Sequence, residues 1–126
     1  MASSHEFFST ADPELVRTVI GQTLTGRGFT ISATPEGGFV AKRGSVAMTV
    51  LFGGLAGNRL YMTFKVEIMQ LDGQIVARLS RVAISAFAAG GAIGAVKANG
   101  VFMETANALG AALHDAGALS SSRQVA

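Results

Sequence analysis

Apolar and polar positions follow two different rhythms along the chain, and the switch between them marks the elements. Leu15, Val16, Val19, Ile20 and Leu24 recur at three- and four-residue spacing, which gathers them on one helical face. Asp12 stands before this run as an N-cap, and Pro13 takes the first helical position, where a missing N–H costs nothing. Glu14 in the first turn suits the helix dipole, and Gly26 and Gly28 close the element. Ahead of it, His5-Glu6-Phe7-Phe8 reads as a short opening strand. From Phe29 the period becomes two: Phe29, Ile31 and Ala33 alternate with Thr30, Ser32 and Thr34, and Pro35-Glu36-Gly37-Gly38 is a turn. Further strands are predicted over 39–42 and 46–52. A two-residue turn at Arg43-Gly44 would set Ala41 against Val46 and Phe39 against Met48, on the side of Val50 and Phe52.

The clearest element is the next hairpin. Leu60, Met62, Phe64, Val66 and Ile68 alternate with Tyr61, Thr63, Lys65 and Glu67, and Asp72-Gly73 supplies a type I′ turn. Closing the hairpin there opposes Leu71 to Gln74, Ile68 to Ala77, Val66 to Leu79 and Glu67 to Arg78. Apolar pairs then share the dry face and an opposite-charge pair falls on the wet one. Arg81 is out of keeping, because this register brings it to the inner face opposite Phe64. It either snorkels to water where the strand ends or stands as a cation at the mouth of an apolar groove, facing an anionic head group.

Residues 82–96 carry no charge and are rich in Ala and Gly. Ala83 to Phe87 extends the strand pattern, Gly90-Gly91 breaks it, and a final helix begins between Ala92 and Asn99. Its stripe is Phe102, Ala106, Leu109, Leu113 and Ala116, and Gly117 stops it. The fold class is therefore α+β: a short N-terminal strand and helix, an antiparallel meander of about five strands, and a long C-terminal helix packed on one face of the sheet. Residues 1–117 form one domain, and 118–126, opening on Ser120-Ser121-Ser122-Arg123, are expected to be a disordered tail.

Composition narrows the classes. A chain of 126 residues with 49% hydrophobic and 14% charged positions has enough apolar surface to fold as one domain. It lacks cysteine, which removes disulfides, thiolate metal sites and a Cys nucleophile. Ten basic residues are scattered, with Lys42-Arg43 the adjacent pair, so nucleic acid is not expected as a partner. No apolar stretch reaches the roughly 20 residues of a membrane span, and the expected location is cytoplasmic.

Candidate chemistry is sparse. Gly90-Gly91-Ala92-Ile93-Gly94 precedes a helix, but Lys-Ser/Thr does not follow Gly94 and no βαβ unit surrounds it, so a phosphate loop is not indicated. Gly90 and Gly94, with Ala86 and Ala98, give a small-residue row suited to self-association. His5 and His114 lie at opposite ends of the sequence, and no serine sits in Gly-x-Ser-x-Gly. No catalytic residue, metal site or cofactor is expected. Met48 and Met62 fall on predicted core faces, where they fill the core or line an adaptable apolar pocket.

The Phe7-Phe8 strand, the helix start at Asp12-Pro13-Glu14-Leu15-Val16, the Asp72-Gly73 hairpin and the helix from Phe102 to Leu113 follow one another in an order that resembles TATA-binding-protein-like and helix-grip domains, the latter including START and Bet v 1-like proteins. The likeness is one of layout over residues 5–117. It departs from helix-grip domains in having no second short helix before the strand at Phe29. The resemblance implies an apolar groove between the sheet and the last helix and no enzymatic activity. The sequence thus points to a non-enzymatic module that binds a small apolar molecule or lipid, with Arg81, Phe64, Met62, Met48, Phe102 and Leu109 as ligand-binding residues. The alternative is a protein-interaction or homo-oligomerisation domain that uses residues 82–96.

Overall fold

The computed structural model of the chain describes residues 4–44, 62–82 and 91–125, with side chains from residue 99 in the last stretch. Strand β1 (Ser4–Ser9) leads into helix α1 (Pro13–Gly26). Strands β2 (Thr30–Ala33), β3 (Phe39–Arg43), β4 (Met62–Leu71) and β5 (Gln74–Arg81) follow, then helix α2 (Gly91–Asp115) and strand β6 (Ser121–Val125). The strands form one antiparallel sheet in the order β2-β3-β4-β5-β1-β6.

Local chemistry explains α1. Asp12 accepts the N–H of Glu14 through Oδ1 at 3.0 Å, Pro13 opens the helix, and Gly28 leaves it with φ at 88°. Val16, Ile20 and Leu24 are buried, whereas Leu15 is 41% exposed, so the apolar stripe is narrower than the sequence spacing implies. Leu15 sits one residue, or about 100° of rotation, off the axis through Val16, Ile20 and Leu24.

The β4–β5 hairpin has the expected register at every pair: Phe64 opposite Arg81, Val66 opposite Leu79, Glu67 opposite Arg78 and Ile68 opposite Ala77. Asp72 and Gly73 have φ of 51° and 78°, the positive pair that a type I′ turn needs. Met62, Phe64, Val66, Ala77 and Leu79 form the inner face, and both helices pack on it. Phe102, Ala106, Leu109 and Leu113 of α2 are at most 1% exposed, joined by Val16, Ile20 and Leu24 of α1. Gly110 leaves room for Phe7, whose Cε1 would lie 3.4 Å from an added Cβ.

Four expectations need correction. Both edges of β3 are taken, by β2 and β4, so Ala41 opposes Ile31 and Phe64 and does not pair with Val46; Phe39 likewise opposes Ala33 and Val66 instead of Met48. Residues 45–61, with Met48 and the predicted 46–52 strand, lie outside the described residues, as do 83–90. Helix α2 starts at Gly91, one residue before the expected window. It ends before Ala116, which is exposed, and Ala118 takes its place in the core. The stop is a Schellman turn: Ala118 N–H donates to Leu113 O at 2.8 Å, Gly117 N–H to His114 O at 2.9 Å, and Gly117 has φ of 70°. Finally, the span 118–126 is not a free tail, because Ser121–Val125 pairs with β1 from Ser4↔Val125 to Phe8↔Ser121.

Candidate functional site

Arg81 ends β5 on the inner face, as the register requires, and two more arginines join it at the same end of the core. Arg81 lies 6.0 Å over the Phe102 ring, and its Nη1 reaches Asn99 Oδ1 of α2 at 3.3 Å. Arg43 is the last residue of β3 and alternates onto the inner face with Phe39 and Ala41, opposite Met62. Its guanidinium sits 5.1 Å over the Phe29 ring, and its Nη1 donates to the carbonyl of Arg27 at 3.2 Å. That carbonyl belongs to the C-cap of α1, where the negative end of the helix dipole favours a cation. Arg27 in turn meets Glu104 Oε2 of α2 at 3.5 Å.

Beneath the guanidinia of Arg43 and Arg81 lies a run of aromatic rings. Phe29 and Phe64 have centroids 5.4 Å apart, and Phe102 stands edge-on to Phe64 at 5.5 Å. Cations over aromatic faces are held by the ring quadrupole. Four elements build the site: the end of α1, the ends of β3 and β5, and the face of α2 that carries Asn99, Phe102 and Glu104. Burial, with Arg27 beside it, pulls the Arg43 pKa below its ordinary value, while Glu104 works against that shift. The Nε atoms of both Arg27 and Arg43 are buried without an acceptor. Native interiors leave few such groups, and each costs about 1–3 kcal/mol.

The expected ligand residues divide accordingly. Arg81, Phe64 and Phe102 come together at this end, and Met62 lies next to it through its pairing with Arg43. Leu109 is buried like the others but lies seven residues along α2 from Phe102, roughly 10 Å away. Met48 lies outside the described residues. The sequence reading missed Arg27, Arg43 and Phe29. Arg43 carried the same signal as Arg81, a cation in phase with apolar inner-face positions. Arg27 gave none, because its placement depends on how α1 meets α2.

No protein-family model and no curated protein sequence matches the chain.

Two other places hold polar side chains. On the helix-free face, Glu6 of β1 is 3% exposed between two arginines from neighbouring strands. Arg78 gives Nε and Nη2 to Oε2 at 3.0 and 2.7 Å, and Arg123 gives Nε to Oε1 at 2.6 Å while covering the Phe8 ring at 5.6 Å. These bonds, Arg78 first, hold the Glu6 carboxyl below the usual carboxylate range. The expected Glu67–Arg78 pair keeps its register, but Arg78 turns its guanidinium to Glu6, the more deeply desolvated carboxylate. The second place is a cavity of about 200 Å³ lined by Thr34, Glu36, Gly38, Lys65, Glu67, Ile68 and Met69. In the first the cations are already met by Glu6, and the second has no aromatic ring among its described lining residues.

Among the described residues no group of three His, Asp or Glu is placed to hold a metal ion, and no helix is long and apolar enough to cross a membrane. His5 is stacked on Phe7 at 4.7 Å, and burial pushes its pKa down.

Proposed function

We propose that the protein is a non-enzymatic binding module that takes a small amphiphile, with its apolar part against Phe29, Phe64 and Phe102 and its charged end among Arg27, Arg43 and Arg81. One observation carries the reading: three arginines gather at one end of a buried aromatic run, two of them with buried N–H groups that have no acceptor. Ligand sites combine an apolar lining with a few placed polar groups, and the layout resemblance to helix-grip domains supports a ligand between sheet and last helix. The interior under Leu109 and Leu113 is filled by neighbouring side chains, so the ligand sits at the rim of the layer.

Native mass spectrometry of protein isolated gently from its own host tests this. The expected spectrum carries an added small-molecule mass that Arg81→Ala reduces about tenfold. A clean unliganded mass, together with no uptake from a panel of single-chain amphiphiles, overturns the proposal. The same spectrum reads the oligomeric state, which bears on the alternative of self-association through residues 82–96.

A further inference from the structure

Among the described residues, Arg27 and Arg43 share a single acidic neighbour, Glu104. The sequence has eight acidic residues, and those at the other charge clusters are engaged elsewhere. Glu6 is held by Arg78 and Arg123 on the opposite face, Glu14 pairs with Arg17, and Asp12 caps α1. Asp72 is in the hairpin turn, Glu36 and Glu67 line the cavity beside Ile68, and Asp115 ends α2. Among the described residues Glu104 is the acid that meets this group, at 3.5 Å from Arg27, with 71% of its side chain exposed. Residues 45–61 and 83–98 add no acid by sequence; their charges are Arg59 and Lys97.

Glu104 is therefore a loose partner on the solvent side of a cationic pair whose inner N–H groups are unmet. We propose that Arg27 and Arg43 form a phosphomonoester site, and that Glu104 is an internal carboxylate which the incoming phosphate displaces. A phosphomonoester carries a charge of about −1.5 to −2 at neutral pH and three strong acceptor oxygens. It matches two guanidinia in charge, and it offers separate oxygens to the Nε edge of each, as bidentate arginine–phosphate pairing requires. Glu104 offers one carboxylate to one arginine and leaves both Nε–H groups without a partner. Arg81, stacked over Phe102 and held by Asn99, marks the side on which an apolar substituent of the ester would continue along the rings. The inference deepens the binding-module reading by naming the head group. Its test begins with an anion that has no apolar part, so the two can fail separately.

The experiment follows the arginine Nε–Hε signals of the full chain by nuclear magnetic resonance during titration. Inorganic phosphate, octyl phosphate and octanoate are the three arms. Inorganic phosphate is expected to move the Arg27 and Arg43 signals with a millimolar Kd, while Arg17 and Arg123 stay in place as internal references. Octyl phosphate binds at least tenfold tighter than inorganic phosphate if the ligand is an ester with an apolar body, and equally if it is free phosphate. Octanoate binds more weakly than octyl phosphate. Glu104→Gln, a change at an exposed position, removes the competing carboxylate and strengthens phosphate binding severalfold. Arg43→Lys keeps the charge but lacks the planar edge, and weakens binding about tenfold while the Arg27 signal remains as a reporter. Equal movement of all arginine signals, no movement at tens of millimolar phosphate, or indifference to Glu104→Gln overturns the inference.

Discussion

Glu6 shows how one residue couples the fold to proton concentration. Its carboxylate is nearly sealed, and both oxygens are taken by arginines from the flanking strands. A carboxyl with a depressed folded pKa contributes stability above its unfolded value, about 4.3, and loses it as pH falls through the lower folded value. His5 has the same sign for a different reason. Burial disfavours its charged form, so below about pH 6.5 the unfolded chain takes up a proton that the folded chain resists. The denaturation midpoint should therefore be flat above neutrality and decline in two windows on acidification, an upper one from His5 and a lower one from Glu6. Glu6→Gln should remove the lower window selectively and lower stability at pH 7, because Arg78 and Arg123 then face a neutral amide. A midpoint in that variant that still falls steeply through the carboxylate range would show that another group carries the acid sensitivity.

Elements differ in how much of their placement is local. The β4–β5 hairpin was legible because its turn and pairing lie within one stretch of chain: Asp72-Gly73 admits one tight turn, and that turn dictates each pair up to Phe64↔Arg81. The sides of β1 were not legible. It lies between β5 and β6, partners far along the chain (Ser9 pairs with Ile75, Phe8 with Ser121), and its own pattern names no neighbour. Strand β6 was read as tail for a related reason. All its residues but Val125 are polar and exposed, and its place comes from the ladder along β1 and from the contacts of Arg123 with Glu6 and Phe8, all non-local. The β2–β3 turn gives a sharp test of close packing between elements. A Cβ on Gly38 would lie 2.1 Å from the carbonyl oxygen of Val66 in the neighbouring strand β4, whereas one on Gly73 would meet nothing and suffer mainly from its φ of 78°. Urea denaturation should find Gly38→Ala destabilised by about 3 kcal/mol, the upper end for overpacking, and Gly73→Ala by about 1–2 kcal/mol, the cost of a left-handed residue. Equal losses would mean that β3 and β4 are not in the contact described.

At the scale of the molecule, an antiparallel sheet buries one face under two helices, and the end of that buried layer is where charge gathers. The stripe from Phe102 to Leu113 and the alternation from Met62 to Ile68 announced the layer, and Arg81 announced its end. The convergence of Arg27 and Arg43 was hidden because it needs α1, β3 and α2 to meet, which spacing in sequence does not convey. Ligand position tests the whole account most directly. With octyl phosphate bound, nuclear Overhauser contacts from its chain protons should reach the rings of Phe29, Phe64 and Phe102, with the phosphate shifting Arg27, Arg43 and Arg81. Contacts to the opposite face around Glu6 and Val76, or saturating amphiphile that leaves those three rings unperturbed, would contradict it.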